Sequence, residues 1–164
     1  VDLMQPGVTE AFLYFTHETY RQICGDEFGQ TIPGTFQDEA HIGPPGDSDA
    51  VNFTPALLAE FSRRRGYDLK VHLPLLFEEQ GDFHRVRHDF YLTLLELFID
   101  NWAKPYYQYC TEHGLQLTGH YWEHDWPRPR LAFRFPASSR PSTSSREMNI
   151  VSLITAFFRP FKLT

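Results

Sequence analysis

Apolar residues near the start of the chain, Phe12, Phe15, Tyr20 and Ile23, recur at a roughly helical spacing. Thr9 precedes them as a capping residue, Glu10 falls in the first turn and Gly25 follows, which predicts a helix over 9–24. The pattern then shortens. Thr31-Ile32-Pro33-Gly34-Thr35-Phe36 reads as a punctuated strand that delivers Gln37, Asp38 and Glu39 at its end. From Ala40 to Phe53 the Gly, Pro, Asp and Asn content predicts an irregular surface loop. A second helix starts with Thr54 as cap and Pro55 in the first turn, carries Leu57, Leu58 and Phe61 as its stripe, and stops at Gly66. Its final turn holds Arg63, Arg64 and Arg65, cations that favour the negative end of the helix dipole and are expected to be solvated. A longer helical stripe runs through Phe83, Val86, Phe90, Leu94, Leu97 and Phe98, is disturbed by Pro105, and closes at Gly114. Leu115 to Trp122 alternates as a strand should and ends in Glu123, His124 and Asp125.

Beyond Trp126 the pattern dissolves. Pro127, Pro129, Pro136 and Pro141 punctuate a stretch rich in Ser and Arg, which predicts a linker or disordered segment over 127–146. A short apolar segment over 147–164 follows, and the body is expected over 1–126. The order helix, strand, helix, helix, strand is α/β alternation. With 164 residues the chain is shorter than the ~250 that a complete (β/α)₈ barrel usually takes, so the expected fold is a single α/β domain.

Charge and composition narrow the function. Fifteen Lys and Arg against 21 Asp and Glu give a formal net charge of −6, the wrong sign for a phosphate backbone, so nucleic acid is not an expected partner. No apolar run reaches the ~20 residues that span a bilayer, and no signal segment opens the chain. The expectation is a soluble protein, cytoplasmic by default, without a membrane partner. Cys24 and Cys110 are expected to be reduced, buried thiols. Neither a Walker loop nor a G-x-G-x-x-G fingerprint occurs, so no nucleotide cofactor is expected; the absence of G-x-S-x-G argues against a nucleophile elbow.

The chemistry lies in two acidic clusters, Asp38/Glu39 and Glu123/Asp125, each following a predicted strand. In parallel α/β folds the carboxyl ends of strands converge on one rim, which makes these groups a candidate acid/base pair of the kind that glycoside hydrolysis uses. Acidic residues after strands also serve as helix caps or solvated loop ends. Tyr121, Trp122 and Trp126 bracket the second cluster and offer flat faces for sugar rings, or else packing for the core. His120 to His124 matches H-x-x-E-H, but on a strand the two imidazoles lie about 13 Å apart, too far for one zinc ion without a bend. Asp47 and Asp49 supply hard oxygen ligands, although their loop lacks the Gly and the closing Glu of a full calcium loop. A divalent metal at Asp47 and Asp49 or at His120 and His124 is therefore a candidate, with calcium favoured over zinc.

The segments FTHETYRQICGDEFGQTIPGTFQDEA, NFTPALLAEFSRRRGYDLKVHLPLLFEE and RHDFYLTLLELFIDNWAKPYYQYCTEHGLQLTGHYWEHDWPRP accumulate into one pattern. Together, over roughly Val8 to Pro129, they resemble the catalytic barrel of large bacterial glycoside hydrolases of the α-L-rhamnosidase-like type. TFQDEA and TGHYWEH carry the resemblance most specifically. It implies an α/β fold that is a partial (β/α) TIM-barrel-like fragment, and a hydrolase in which Glu39 and Glu123 carry acid/base catalysis, supported by Asp38, His120, Tyr121, Trp122, His124 and Asp125, with a sugar or other small molecule as substrate. It also implies a calcium ion that assists sugar binding. After Pro129 the pattern departs from the family, as a truncated or altered end would, and self-association is expected from the partial barrel. Two alternatives remain: a divalent-metal-dependent hydrolase of a small ester or lactone, and an inactive carbohydrate-binding remnant.

Overall fold

A computed structural model describes residues 1–38, 40, 42 and 50–120. The expected linker over 127–146 and the segment 147–164 lie outside these residues. The described part is mixed α/β, and its two strands form a parallel pair that does not close into a barrel.

The first helical stretch is two helices, α1 (Val8–Phe15) and α2 (His17–Cys24), rather than one over 9–24. Thr16 makes the break: its hydroxyl donates to the Phe12 carbonyl at 2.6 Å, and a hydroxyl bonded back onto the preceding turn bends a helix. Thr9 is no cap either. It is buried inside α1 while Gly7 holds the position before the helix. Strand β1 (Gly34–Asp38) follows a single turn of 3₁₀ helix at Gly25–Glu27. The following loop is less superficial than its turn residues imply, because Ala40, Ile42 and Val51 pack against the core.

Helix α3 (Leu57–Arg65) ends at Gly66 as expected, but begins later than its cap signal. Thr54 is fully buried, and its hydroxyl bonds Gln5 Oε1 at 3.3 Å instead of capping the helix. Only Arg63 of the three arginines is solvated. Arg64 and Arg65 fold back over the next helix, where Arg64 reaches Asp100 at 2.8 Å and Glu96 at 3.2 Å, and Arg65 reaches Glu96 at 2.5 Å and Thr93 at 3.0 Å. A 3₁₀ stretch, Leu69–Leu76, links α3 to that helix, with the Asp68 carboxylate accepting from the Lys70 backbone N–H.

Helix α4 (Phe83–Phe98) buries Val86, Phe90, Leu94 and Leu97, an apolar stripe at spacings of four, four and three. It runs through a π-helical turn, Ile99–Ala103, into α5 (Lys104–Glu112). Pro105 explains the widened turn. Proline has no N–H for the carbonyl four residues back and its ring crowds that carbonyl, here Asn101. The freed Asn101 oxygen accepts instead from the buried Thr9 hydroxyl at 2.5 Å, which ties α1 to the π turn.

Strand β2 (Gln116–His120) pairs in parallel with β1, in the register Gly34 with Gln116, Phe36 with Thr118 and Asp38 with His120. Thr35 and Gln37 turn one face of β1 toward α5 and the π turn, and Leu117 on β2 joins the core from the same side. Phe36 is on the opposite face, 62% exposed. Cys24 and Cys110 are both free, but only Cys110 is buried, so the expectation of two buried thiols holds for one. Among the described residues no helix is long and apolar enough to cross a membrane.

If the Thr9 hydroxyl replaces the bond that Pro105 removes, Thr9→Val should leave a buried carbonyl unpaired and cost about 1–3 kcal/mol in urea unfolding. A midpoint equal to that of the wild type would show that the π turn does not depend on it.

Candidate functional site

The candidate rim is where β1 and β2 end. Because the strands are parallel and in register, the chain leaves both at the same edge of the sheet, with Asp38 beside His120 in the ladder. The two halves of the expected acid/base pair thus follow adjacent strand ends in the sequence. Of the predicted site residues, Asp38 is described and exposed, and His120 is placed by its backbone as the last residue of β2. Glu39, Glu123, Tyr121, Trp122, His124, Asp125, Asp47 and Asp49 lie outside the described residues. Among the described residues no group of three or more His, Cys, Asp or Glu side chains is placed to hold a metal ion.

The strand ends approach closely because of one glycine. Gly119 has φ +130°, and a Cβ there would sit 2.0 Å from the Gln37 carbonyl oxygen. Any other residue would have to push β2 away from β1 just before the rim.

Beneath the rim a polar and aromatic layer supports β1. The Trp102 indole N–H donates to Gln37 Oε1 at 3.0 Å, which fixes the carboxamide and leaves its buried Nε2 without a hydrogen-bond partner. One turn further along, the Tyr106 hydroxyl lies 3.3 Å from Thr35 Oγ1, and Thr35 lies 3.7 Å from Cys110 Sγ. Burial pushes the Cys110 thiol up, so it stays protonated and acts as packing rather than as a nucleophile. Its sequence neighbour His113 does not activate it: the His113 ring nitrogen Nδ1 bonds the Tyr109 carbonyl at 2.8 Å.

Tyr106 continues the chain of contacts outward to α2. Its hydroxyl lies 3.0 Å from His17 Nε2, and the Phe12, Tyr106 and Tyr109 rings stand 5.4, 5.1 and 5.6 Å from the imidazole. Beside it, Glu18 accepts from Arg21 and, at 2.8 Å, from the Tyr109 hydroxyl. These partners hold the Glu18 carboxyl down to about 2, the Arg21 hydrogen bond contributing most. None of this layer is legible in sequence motifs. The one available signal was the period-two placement of Thr35 and Gln37 between apolar or exposed neighbours, which marks an inward face but not its partners.

No protein-family model, curated protein or solved structure matches the chain.

The close approach at Gly119 is directly testable. Gly119→Ala should lower stability by about 2–4 kcal/mol, since it adds backbone strain to a steric overlap. Gly81→Ala is the control: its φ is +52° but nothing lies within 4 Å of the added carbon, so it should cost only about 1–2 kcal/mol. Equal urea midpoints for the two variants would remove the tight β1–β2 contact from the account.

Proposed function

We propose that the chain is a hydrolase related to glycoside hydrolases, with Glu39 and Glu123 as its working carboxylates. What supports this reading most is the parallel register that sets Asp38 beside His120. The segments bearing both carboxylates start from neighbouring points of one rim, the arrangement that acid/base chemistry across a glycosidic bond requires. One carboxyl group, protonated, would give its proton to the leaving oxygen. The other, ionised, would activate water or attack the anomeric carbon. Asp38, His120, His124 and Asp125 would tune and orient the pair, while Tyr121 and Trp122 would stack on the sugar. Calcium, if bound, would be held by the Asp47 and Asp49 oxygens and would supply a fixed positive charge for sugar hydroxyls. Self-association of the chain belongs to the same reading, since a partial barrel leaves strand edges to be paired.

A second reading is hydrolysis of a small ester or lactone with help from a divalent metal. Its support is the small sheet of the described residues, where two strand ends offer few loops for sugar subsites. An inactive, sugar-binding remnant is the outcome in which chemistry is absent and stacking remains.

Aryl glycosides and simple lactones assayed with and without chelator separate these readings. Glu39→Gln and Glu123→Gln should each lower glycoside turnover by about 10²–10⁴-fold while the thermal midpoint moves little. Turnover of lactones only, abolished by chelator and restored by calcium, would select the second reading. Glycoside turnover undiminished in both variants would overturn the carboxylate pair.

A further inference from the structure

Helix α2 is docked in an unusual way: none of its residues is fully buried, so an apolar face does not hold it. Among the described residues its attachment to α5 includes a polar seam, the contacts of His17 with Tyr106 and of Glu18 with Tyr109. His17 is the member of that seam whose charge changes near neutral pH. The Thr16 hydroxyl gives its hydrogen to the Phe12 carbonyl, so its oxygen accepts from His17 Nδ1 at 2.8 Å. Nδ1 therefore carries a proton, and in the neutral ring Nε2 accepts the Tyr106 hydroxyl hydrogen across the 3.0 Å contact.

We propose that His17 is a pH-operated latch, holding α2 against α5 when neutral and releasing it when protonated. A second proton need not break a hydrogen bond, because Tyr106 can turn its hydrogen to Thr35 and accept from Nε2. What opposes the proton is its surroundings. The imidazolium would be taken from water into a site lined by the Phe12, Tyr106 and Tyr109 rings, and burial accordingly lowers the His17 pKa.

The charged and titratable groups around it do not reverse this. On α2 itself, the Glu18 carboxylate is engaged by Arg21 and the Tyr109 hydroxyl. On α5, burial raises Tyr106, Tyr109 and Cys110, so all three stay neutral through the range concerned. His113 Nε2 lies 3.9 Å from Glu18, and a proton there would tighten the seam, the opposite sense. From α1 only Phe12 and the Thr16 break face the ring, and β1 contributes Thr35 through Tyr106.

The sign follows from linkage. The undocked helix binds the proton more tightly than the docked one, so docking is at full strength above the ordinary histidine pKa. It weakens as pH falls from there toward the lowered value, by at most tenfold per pH unit. Glu18, held to about 2, remains ionised throughout that interval. Release would bare Phe12 on α1, which already exposes Tyr14 and Phe15, and Tyr106 and Tyr109 on α5, which already exposes Tyr107.

Amide exchange of the full chain at about pH 7.5 and about pH 5.0 tests the latch. Protection factors over 18–24 should fall about tenfold on acidification while those of α4 hold. The fall should vanish in His17→Gln and persist in His113→Gln. Unchanged protection over 18–24, or a fall that disappears in His113→Gln instead, would overturn the proposal. If His17→Gln does not fold, the ring carbon of His17 in wild-type protein serves as the readout. A titration midpoint below about 6.5 is expected, and one at or above it contradicts the latch.

Discussion

A pair of parallel strands cannot stand uncovered in water, and the rest of this structure depends on how that pair is backed. Parallel sheets are ordinarily buried on both faces. Here one face of β1 rests on Trp102 and Tyr106 through the side chains of Gln37 and Thr35. Those contacts align the strand ends from which both acidic clusters depart. Remove the aromatic layer and the rim has nothing to lie on.

The position of that layer is set by Pro105. A regular helix through 99–103 could not satisfy the Asn101 carbonyl, and the π turn with Thr9 resolves this while presenting Trp102 and Tyr106 to the sheet. Helix α1 is thereby joined to the turn, and its Phe12 ring meets both Trp102 at 5.2 Å and Tyr106 at 5.8 Å. The same tyrosine then reaches His17. Strand, π turn and α2 are thus joined by one chain of side-chain contacts. On the far side, the Arg64 and Arg65 network braces α3 against α4, where half-buried guanidinium groups with several partners hold better than isolated surface pairs.

Sequence patterning located most elements because their signals are local. The α4 stripe, the Gly66 stop and the alternation from Leu115 to Trp122 each depend on neighbours a few residues away; the first two appear where the pattern places them, and β2 covers 116–120 of the third. Capping residues misled at Thr9 and Thr54 because a hydroxyl can serve a distant carbonyl or amide as well as a helix end, and burial decided for the distant partner. The break at Thr16 has the same origin. Arg64 and Arg65 looked solvated because their carboxylate partners sit about thirty residues away on another helix. Of the candidate site, only the two strands that the acidic clusters adjoin in the sequence are described, and Asp38 is the last residue of β1 rather than a residue beyond it. The register that sets Asp38 beside His120 and the supporting side chains of Gln37, Trp102, Tyr106 and His17 arise from long-range packing, for which no spacing rule exists.

The central claim is that β1 and β2 run parallel, in register, with their carboxyl ends side by side. Backbone contacts in an isotope-labelled sample measure this directly through cross-strand nuclear Overhauser effects. Contacts should link Phe36 with Thr118 and Gln37 with Gly119, advancing in the same direction along both strands. Contacts running in opposite directions, with Asp38 near Gln116, or none between the two segments, would contradict it.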